Sequence, residues 1–276
     1  MGQTEQIQIL KVIERRAISV NDQVAVEEPL EVQLTYSTAT GRIQKPVAVT
    51  MRTPGHDREL AAGFLFTEGI IRQHSDIEDI RHVPADENRI LVTLQENILP
   101  NLHKAERNFY TTSSCGICGK ASIDAISNEW NNYPAQEFTA VPASLLYSLL
   151  ESAKQSQSVF EATGGLHAST IFNKDGSYFL QREDVGRHNA LDKLVGFALL
   201  SNRLPLGHCI LLLSGRASFE LLQKAAMAGI QIVLALGAPS SLAVEMAKDA
   251  GITLVGFLKH DRFNIYSGHQ RIQTDS

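Results

Sequence analysis

A chain of 276 residues, 43% hydrophobic and 20% charged, has the make-up of an ordinary soluble globular protein, large enough for one sizeable domain or two small ones. Its formal net charge of −5 gives no global electrostatic case for binding nucleic acid. No apolar run reaches membrane-spanning length, the first residues lack a basic, apolar signal pattern, and three cysteines make a poor disulfide framework, so a reducing cytoplasm is the expected compartment.

The first part of the chain reads as strands. Gln6 to Val12 is β-rich. Leu30, Val32, Leu34 and Tyr36 alternate with Glu31, Gln33 and Thr35, as a strand with one buried face requires. Thr40-Gly41 marks a turn, and Val47, Val49 and Met51 alternate again, so an antiparallel sheet is expected. Thr53-Pro54-Gly55-His56-Asp57 breaks the pattern. Asp57 is the expected N-cap of a helix running to about Thr67, with Leu60, Ala61, Phe64 and Leu65 on the face that packs on the sheet. Glu68-Gly69 ends it, and Ile90, Val92 and Leu94 form a further alternating strand.

Thr111 to Lys120 then holds Cys115 and Cys118, two of the three cysteines, among small and polar residues, ahead of a helix start at Ala121. A thiol just before a helix feels the positive end of its dipole, which lowers its pKa. Gly116 and Gly119 give a large partner access to the sulfur. Such a pair can be half a zinc site, a dithiol redox pair, a nucleophilic thiol that carries sulfur, or a tight turn that happens to hold two thiols. No H-x3-5-H spacing is present to complete a zinc site, and Cys209 lies in an apolar run where a buried thiol is the ordinary expectation.

Tyr133 to Val141 is a polar, turn-rich linker, which divides the chain into an N-terminal β-rich domain over 1–137 and a C-terminal α/β domain over 138–276. Helix 143–155 presents Leu145, Leu146, Leu149, Leu150 and Ala153 on one face. Strands at 166–172 and 177–181 flank the turn Asn173-Lys174-Asp175-Gly176. Helices at 187–199, 217–228 and 241–250 then alternate with apolar strands at 208–213, 230–236 and 252–257. That rhythm implies a largely parallel sheet covered by helices, with ligands bound beyond the carboxyl ends of the strands.

Polar clusters fall at those ends: Arg182 to Asn189, Ser214 to Ser218, and Lys259 to Arg262, with Gly164-Gly165-Leu166-His167 opening the hairpin. A glycine and an arginine before a helix N-terminus make a cradle for phosphate, so Arg187, Arg216, Lys259 and Arg262 are candidates to line one site for a phosphorylated ligand. His167 and His188 read as supporting residues rather than metal ligands, and Asp184 could orient His188 or meet a base edge. Neither a G-x-G-x-x-G nor a G-x-x-x-x-G-K-[ST] motif occurs, so no Rossmann or P-loop site is supported.

At these residues the chain resembles the FdhD family, the formate dehydrogenase accessory sulfurtransferases. The matching segments are Glu28-Pro29-Leu30, Glu59 to Ile71, Ser114-Cys115-Gly116-Ile117-Cys118-Gly119, Thr163 to Ala168, Glu183-Asp184-Val185-Gly186-Arg187-His188-Asn189-Ala190-Leu191-Asp192-Lys193, Ser214 to Glu220 and Leu254 to Phe257. The resemblance implies a sulfur carrier that takes sulfur from a cysteine desulfurase as a persulfide on Cys115. Cys118 assists by relaying or releasing the sulfur. The recipient is the molybdenum bis(molybdopterin guanine dinucleotide) cofactor destined for formate dehydrogenase. It further implies a cofactor loop at Phe257, Leu258, Lys259, His260, Asp261 and Arg262, where many relatives carry Pro-Gly in place of His260-Asp261. GDP-like nucleotides would occupy the same site, which Arg187, His188, Arg216, His167 and Asp184 would complete. The implied C-terminal fold is cytidine deaminase-like, without the zinc motif of those enzymes, and the implied assembly is a homodimer. A chaperone that delivers the cofactor without transferring sulfur is the alternative function, and a dithiol reductase the third.

Overall fold

The computed structural model describes residues 2–102, 133, 140–154 and 163–274. Cys115, Cys118, the helix expected after them and the proposed boundary at 137/138 lie outside the described residues.

The chain opens with a hairpin, β1 (Thr4–Ile13) and β2 (Arg16–Ala25), which forms a two-stranded sheet of its own. β3 (Glu28–Thr38), β4 (Gly41–Arg52), β5 (Ile77–Val83) and β6 (Asp86–Leu94) form a second sheet in the order β4-β3-β6-β5. It is mixed, not antiparallel as expected, because β3 and β6 run parallel with a helix between them in sequence. Leu30, Val32, Leu34, Ile90, Val92 and Leu94 are buried, as their alternation requires. Val49 and Met51 are not: both face solvent. A bulge explains this, since Val32 pairs with Ala48 and the next residue, Gln33, pairs with Pro46. Val47 is the extra residue, so the phase of β4 reverses there, and Thr50 and Arg52 point inward instead.

Helix α1 (Asp57–Thr67) begins with Asp57 as its first residue, not its cap; His56 holds the N-cap position at φ 59°. Asp57 is instead gripped by the buried Arg52, whose Nε and Nη2 each donate to one carboxylate oxygen at 3.1 Å. The helix ends in a Schellman turn at Gly69, φ 69°, with the Ile70 N–H donating to Leu65 O at 2.8 Å.

In the second half, β8 (His167–Asn173), β9 (Tyr178–Asp184), β10 (Cys209–Leu213), β11 (Ile232–Ala235), β12 (Thr253–Gly256) and β13 (Asn264–Ser267) form a six-stranded sheet, ordered β13-β12-β11-β10-β8-β9. Only β10, β11 and β12 are mutually parallel; β8, β9 and β13 run antiparallel to their neighbours. Helices α3 (Arg187–Leu200), α4 (Phe219–Met227) and α5 (Ser241–Asp249) cover one face. Helix α2 (Ala143–Lys154) covers the other, so Leu211 and Leu213 pack with the first set while Ile210 and Leu212 pack with α2. Two covered faces are why these strands read as unbroken apolar runs. The short strands β7 (Val141–Pro142) and β14 (Ile272–Gln273) pair beside them.

One core cluster runs through both sheets, from Leu30 and Val92 through Leu60 and Leu65 to Leu191, Leu194 and Leu254. The contact at its centre is between α1 and α3, so α1 is clamped between the first sheet and α3. The two helices touch backbone to backbone at Gly63 and Gly196. No helix among the described residues is long and apolar enough to cross a membrane.

Candidate functional site

The loops after β10, β11 and β12 lie side by side at the carboxyl edge of the parallel strands, laced by their own backbones. Gly237 N–H donates to Gly215 O at 3.0 Å, and Phe257 N–H donates to Gly237 O at 3.1 Å. The start of β8 joins them from the other side: Ser214 N–H donates to Ala168 O at 3.0 Å, and Ala168 N–H to Ser214 Oγ at 2.9 Å. His167, the first residue of β8, therefore sits against Gly215, where an added Cβ would lie 3.5 Å from the imidazole. On the far side of that loop a Cβ at Gly237 would meet Arg216 Cγ at 3.0 Å. The close approach at Gly237 leaves little room for a side chain, whereas a Cβ at Gly215 would make only ordinary contact with His167.

The first turn of α3 closes the group. Arg187 is partly exposed, and His188 Nε2 lies 3.5 Å from the hydroxyl of Ser218, the N-cap of α4. Burial and the neighbouring Arg187 charge lower the His167 pKa, against a smaller pull from Asp184. Burial, then the Lys224 and Arg187 charges, push His188 down from 6.5 to about 3. Both imidazoles are thus uncharged at neutral pH, and the positive charge at this edge rests on the arginines. His167, Arg187 and His188 lie within electrostatic reach of one another, and Arg216, exposed, follows Gly215 on the adjoining loop.

The sign of the His188 shift gives a pH test. The unfolded chain takes up a proton near 6.5, whereas the folded chain does not until about 3, so the stability His188 contributes is present above 6.5 and lost as pH falls through that interval. For one proton the slope is about 1.4 kcal/mol per pH unit. Between pH 7.5 and pH 5, urea unfolding should therefore show wild type losing about 2 kcal/mol more stability than His188→Gln. Curves that stay parallel would rule out a buried, neutral His188.

The loop at 257–262 lies two loops along the same edge. Phe257 is 42% exposed with φ 53°, a left-handed conformation costly for a bulky residue and maintained here by the bond to Gly237. Leu258 is buried in the core beneath, so its side chain anchors the loop and faces no ligand. Lys259 N–H donates to Arg262 O at 2.9 Å, closing a turn that leaves Lys259, His260, Asp261 and Arg262 exposed. His260 Nδ1 lies 2.9 Å from Glu151 Oε1, which ties the turn to α2.

Asp184 does something other than orient His188 or meet a base. It is fully buried. Its Oδ2 accepts from Lys193 Nζ at 2.7 Å and from Thr53 N–H at 3.1 Å; its Oδ1 accepts from Gly186 N–H at 2.8 Å and from Asn189 Nδ2 at 3.1 Å. Lys193 Nζ also donates to Thr53 O at 2.8 Å, and Asn189 Nδ2 to Met51 O at 2.8 Å. The Asp184–Lys193 motif thus fastens the end of β4 to the start of α3. One turn further, Lys224 Nζ lies 3.0 Å from Asp192 Oδ2 and 2.9 Å from Glu68 Oε1, while Thr67 Oγ1 donates to Asp192 Oδ1 at 2.7 Å. Burial alone would lower the Lys224 pKa, but these carboxylates raise it and keep the ammonium charged.

Lys193 and Glu220 stand in the matching segments without a role assigned to them, and Lys224 lies outside those segments. Glu220 is buried in the first turn of α4, with Oε1 lacking a hydrogen-bond partner among the described residues. Its signal was present in the run Ser214 to Glu220, at a helix start where acidic residues are favoured. Cys209 is buried, and burial raises its thiol to about 11, which leaves it inert at neutral pH.

The model of the FdhD/NarQ family matches residues 25–273, leaving the first hairpin outside almost entirely. A protein of Mycolicibacterium paratuberculosis named sulfur carrier protein FdhD is 47% identical over 264 residues, covering 93% of this chain and 94% of its own. One of the same name from Saccharolobus solfataricus is 39% identical, covering 96% of each chain. A crystal structure described as a putative formate dehydrogenase accessory protein from Desulfotalea psychrophila superposes with a TM-score of 0.75 at 25% identity, covering 99% of this chain and 100% of that one.

Proposed function

The chain belongs to the FdhD/NarQ family, and on that premise we propose that it is a sulfur carrier for formate dehydrogenase. The sulfur travels as a persulfide on Cys115 from a cysteine desulfurase to molybdenum bis(molybdopterin guanine dinucleotide), which is a substrate here and not a resident group. The Cys115 thiolate attacks the outer sulfur of the donor's persulfide. A new S–S bond forms at Cys115, and the donor's cysteine leaves as a thiolate. Attack by Cys118 on the inner sulfur then gives the Cys115–Cys118 disulfide and releases hydrosulfide, the dithiol supplying the electrons.

The observation that supports the binding half of this reading is the meeting of Arg187 with uncharged His167 and His188 beside interlaced loop backbones at one sheet edge, where the loop after β10 carries Arg216. Guanidinium groups and loop N–H groups suit the phosphates of a guanine dinucleotide, or of GDP at the same place. Lys259 and Arg262, with Phe257, His260 and Asp261, would extend the site along that edge. Asp184 and Leu258 support it from within. The strand order β9-β8-β10-β11-β12, with its parallel trio beside an antiparallel hairpin, supports reading the C-terminal half as cytidine deaminase-like. We read the working form as a cytoplasmic homodimer.

Intact-mass measurement after incubation with a cysteine desulfurase and cysteine tests the sulfur half. Wild type should gain one sulfur atom that reductant removes, and Cys115→Ala should gain none. Wild type that gains no sulfur yet binds the molybdenum substrate would leave only delivery of the cofactor, a function that survives Cys115→Ser.

A further inference from the structure

The β1–β2 hairpin pairs with no other strand of the described chain. An isolated two-stranded hairpin is marginal in water, and its side chains here are unusually apolar for an exposed element. Its register, from Thr4 opposite Ala25 to Ile13 opposite Arg16, puts Ile7, Ile9 and Ile13 on the same face as Ile18, Val20 and Val24. Of these, Ile13 is 51% exposed, Ile18 46% and Ile7 38%. The opposite face is mainly amide, with Gln8 Nε2 donating to Ser19 Oγ at 2.9 Å and Gln23 Nε2 to Thr4 Oγ1 at 3.4 Å, apart from Leu10 and Val12 near the turn.

The charges on the apolar face are ordered. Glu5 and Asp22 lie toward the base of the hairpin, and Lys11 and Arg16 lie toward the Glu14-Arg15 turn. Two-fold packing of this face on itself has two arrangements. Base over base would set acid against acid and base against base. Tip over base sets the Lys11 and Arg16 of each copy against the Glu5 and Asp22 of the other, with Ile9 and Val20 at the centre.

We propose that this face binds the same face of a second copy of the chain, tip over base, and so supplies a contact surface for the homodimer read above. A ten-residue hairpin face about 34 Å long and roughly 10 Å wide offers about 340 Å² per copy, below the ~800 Å² per partner of a stable complex. The contact is therefore weak, concentration-dependent and set in register by its charges.

Sedimentation velocity on the full chain, under reductant and up to near-millimolar concentration, tests this. Wild type should self-associate, Lys11→Glu with Arg16→Glu should weaken the association at least tenfold, and adding Glu5→Lys and Asp22→Lys should restore it. A wild type that stays monomeric overturns the proposal. A dimer indifferent to the charge reversal overturns it too, while leaving the homodimer itself intact through another surface. Loss without recovery in the four-residue variant excludes the tip-over-base arrangement. These residues are exposed, so the variants keep the fold.

Discussion

Gly63→Ala is expected to destabilise the chain by about 3 kcal/mol or more, against the usual sign for glycine-to-alanine in a helix. Helix propensity alone favours alanine by ~1 kcal/mol. At this position a Cβ would stand 1.8 Å from Asp192 O and 2.8 Å from Gly196 N, all backbone of α3. No rotamer relieves a clash with backbone, so α1 and α3 must move apart. Their separation would disturb the Lys224–Asp192–Glu68 ion pairs and the bond from Thr67 to Asp192 at the next turn. Gly196→Ala meets the mirror obstacle, with Glu59 O 1.8 Å from its Cβ. Urea midpoints of the two variants measure the effect. A variant as stable as wild type would show that the seam has room the structure denies.

Lys193→Met should cost about 3–5 kcal/mol, because it leaves the Asp184 carboxylate charged and buried without its cation. Lys193 is fully buried and Asp184 likewise, so solvent cannot replace the lost partner. The double variant Asp184→Leu with Lys193→Met should recover only part of the loss. Removing both charges ends the desolvation penalty, but Thr53 N–H and Gly186 N–H then lose the acceptor they share. Chemical unfolding of both single variants and the double variant decides the matter. Full recovery would mean that the carboxylate's backbone bonds contribute nothing.

The C-terminal alternation was the most legible part of the fold. Strands buried on both faces and helices of ordinary length write themselves into the sequence as apolar runs and stripes. The loops at the strand ends followed from that reading, and the structure groups His167, Arg187, His188 and Arg216 at one edge. What was hidden depends on contacts between distant segments. Strand β2 shows few apolar residues in regular alternation, and β13 is short and half-polar. The bulge at Val47 reversed a pattern that looked regular through Met51. Asp192, Lys193 and Lys224 carry charges at helix positions that normally face water, and only the clamp of α1 on α3 buries them. Asp184 stands four residues from His188, which invites a local pairing; its partners Thr53 and Lys193 are set by the meeting of the two sheets.

The seam between α1 and α3 also bears on how the chain is made. Thr53 and Lys193, which meet across it, are 140 residues apart. At ordinary rates of synthesis that interval lasts on the order of ten seconds. Through it the nascent first sheet carries α1 with its outer face bare, the groove at Gly63 empty and Thr53 unmatched. Contacts of such long range form late and slowly. The emerging chain therefore has a window of seconds in which that apolar face stands open to contacts other than its own.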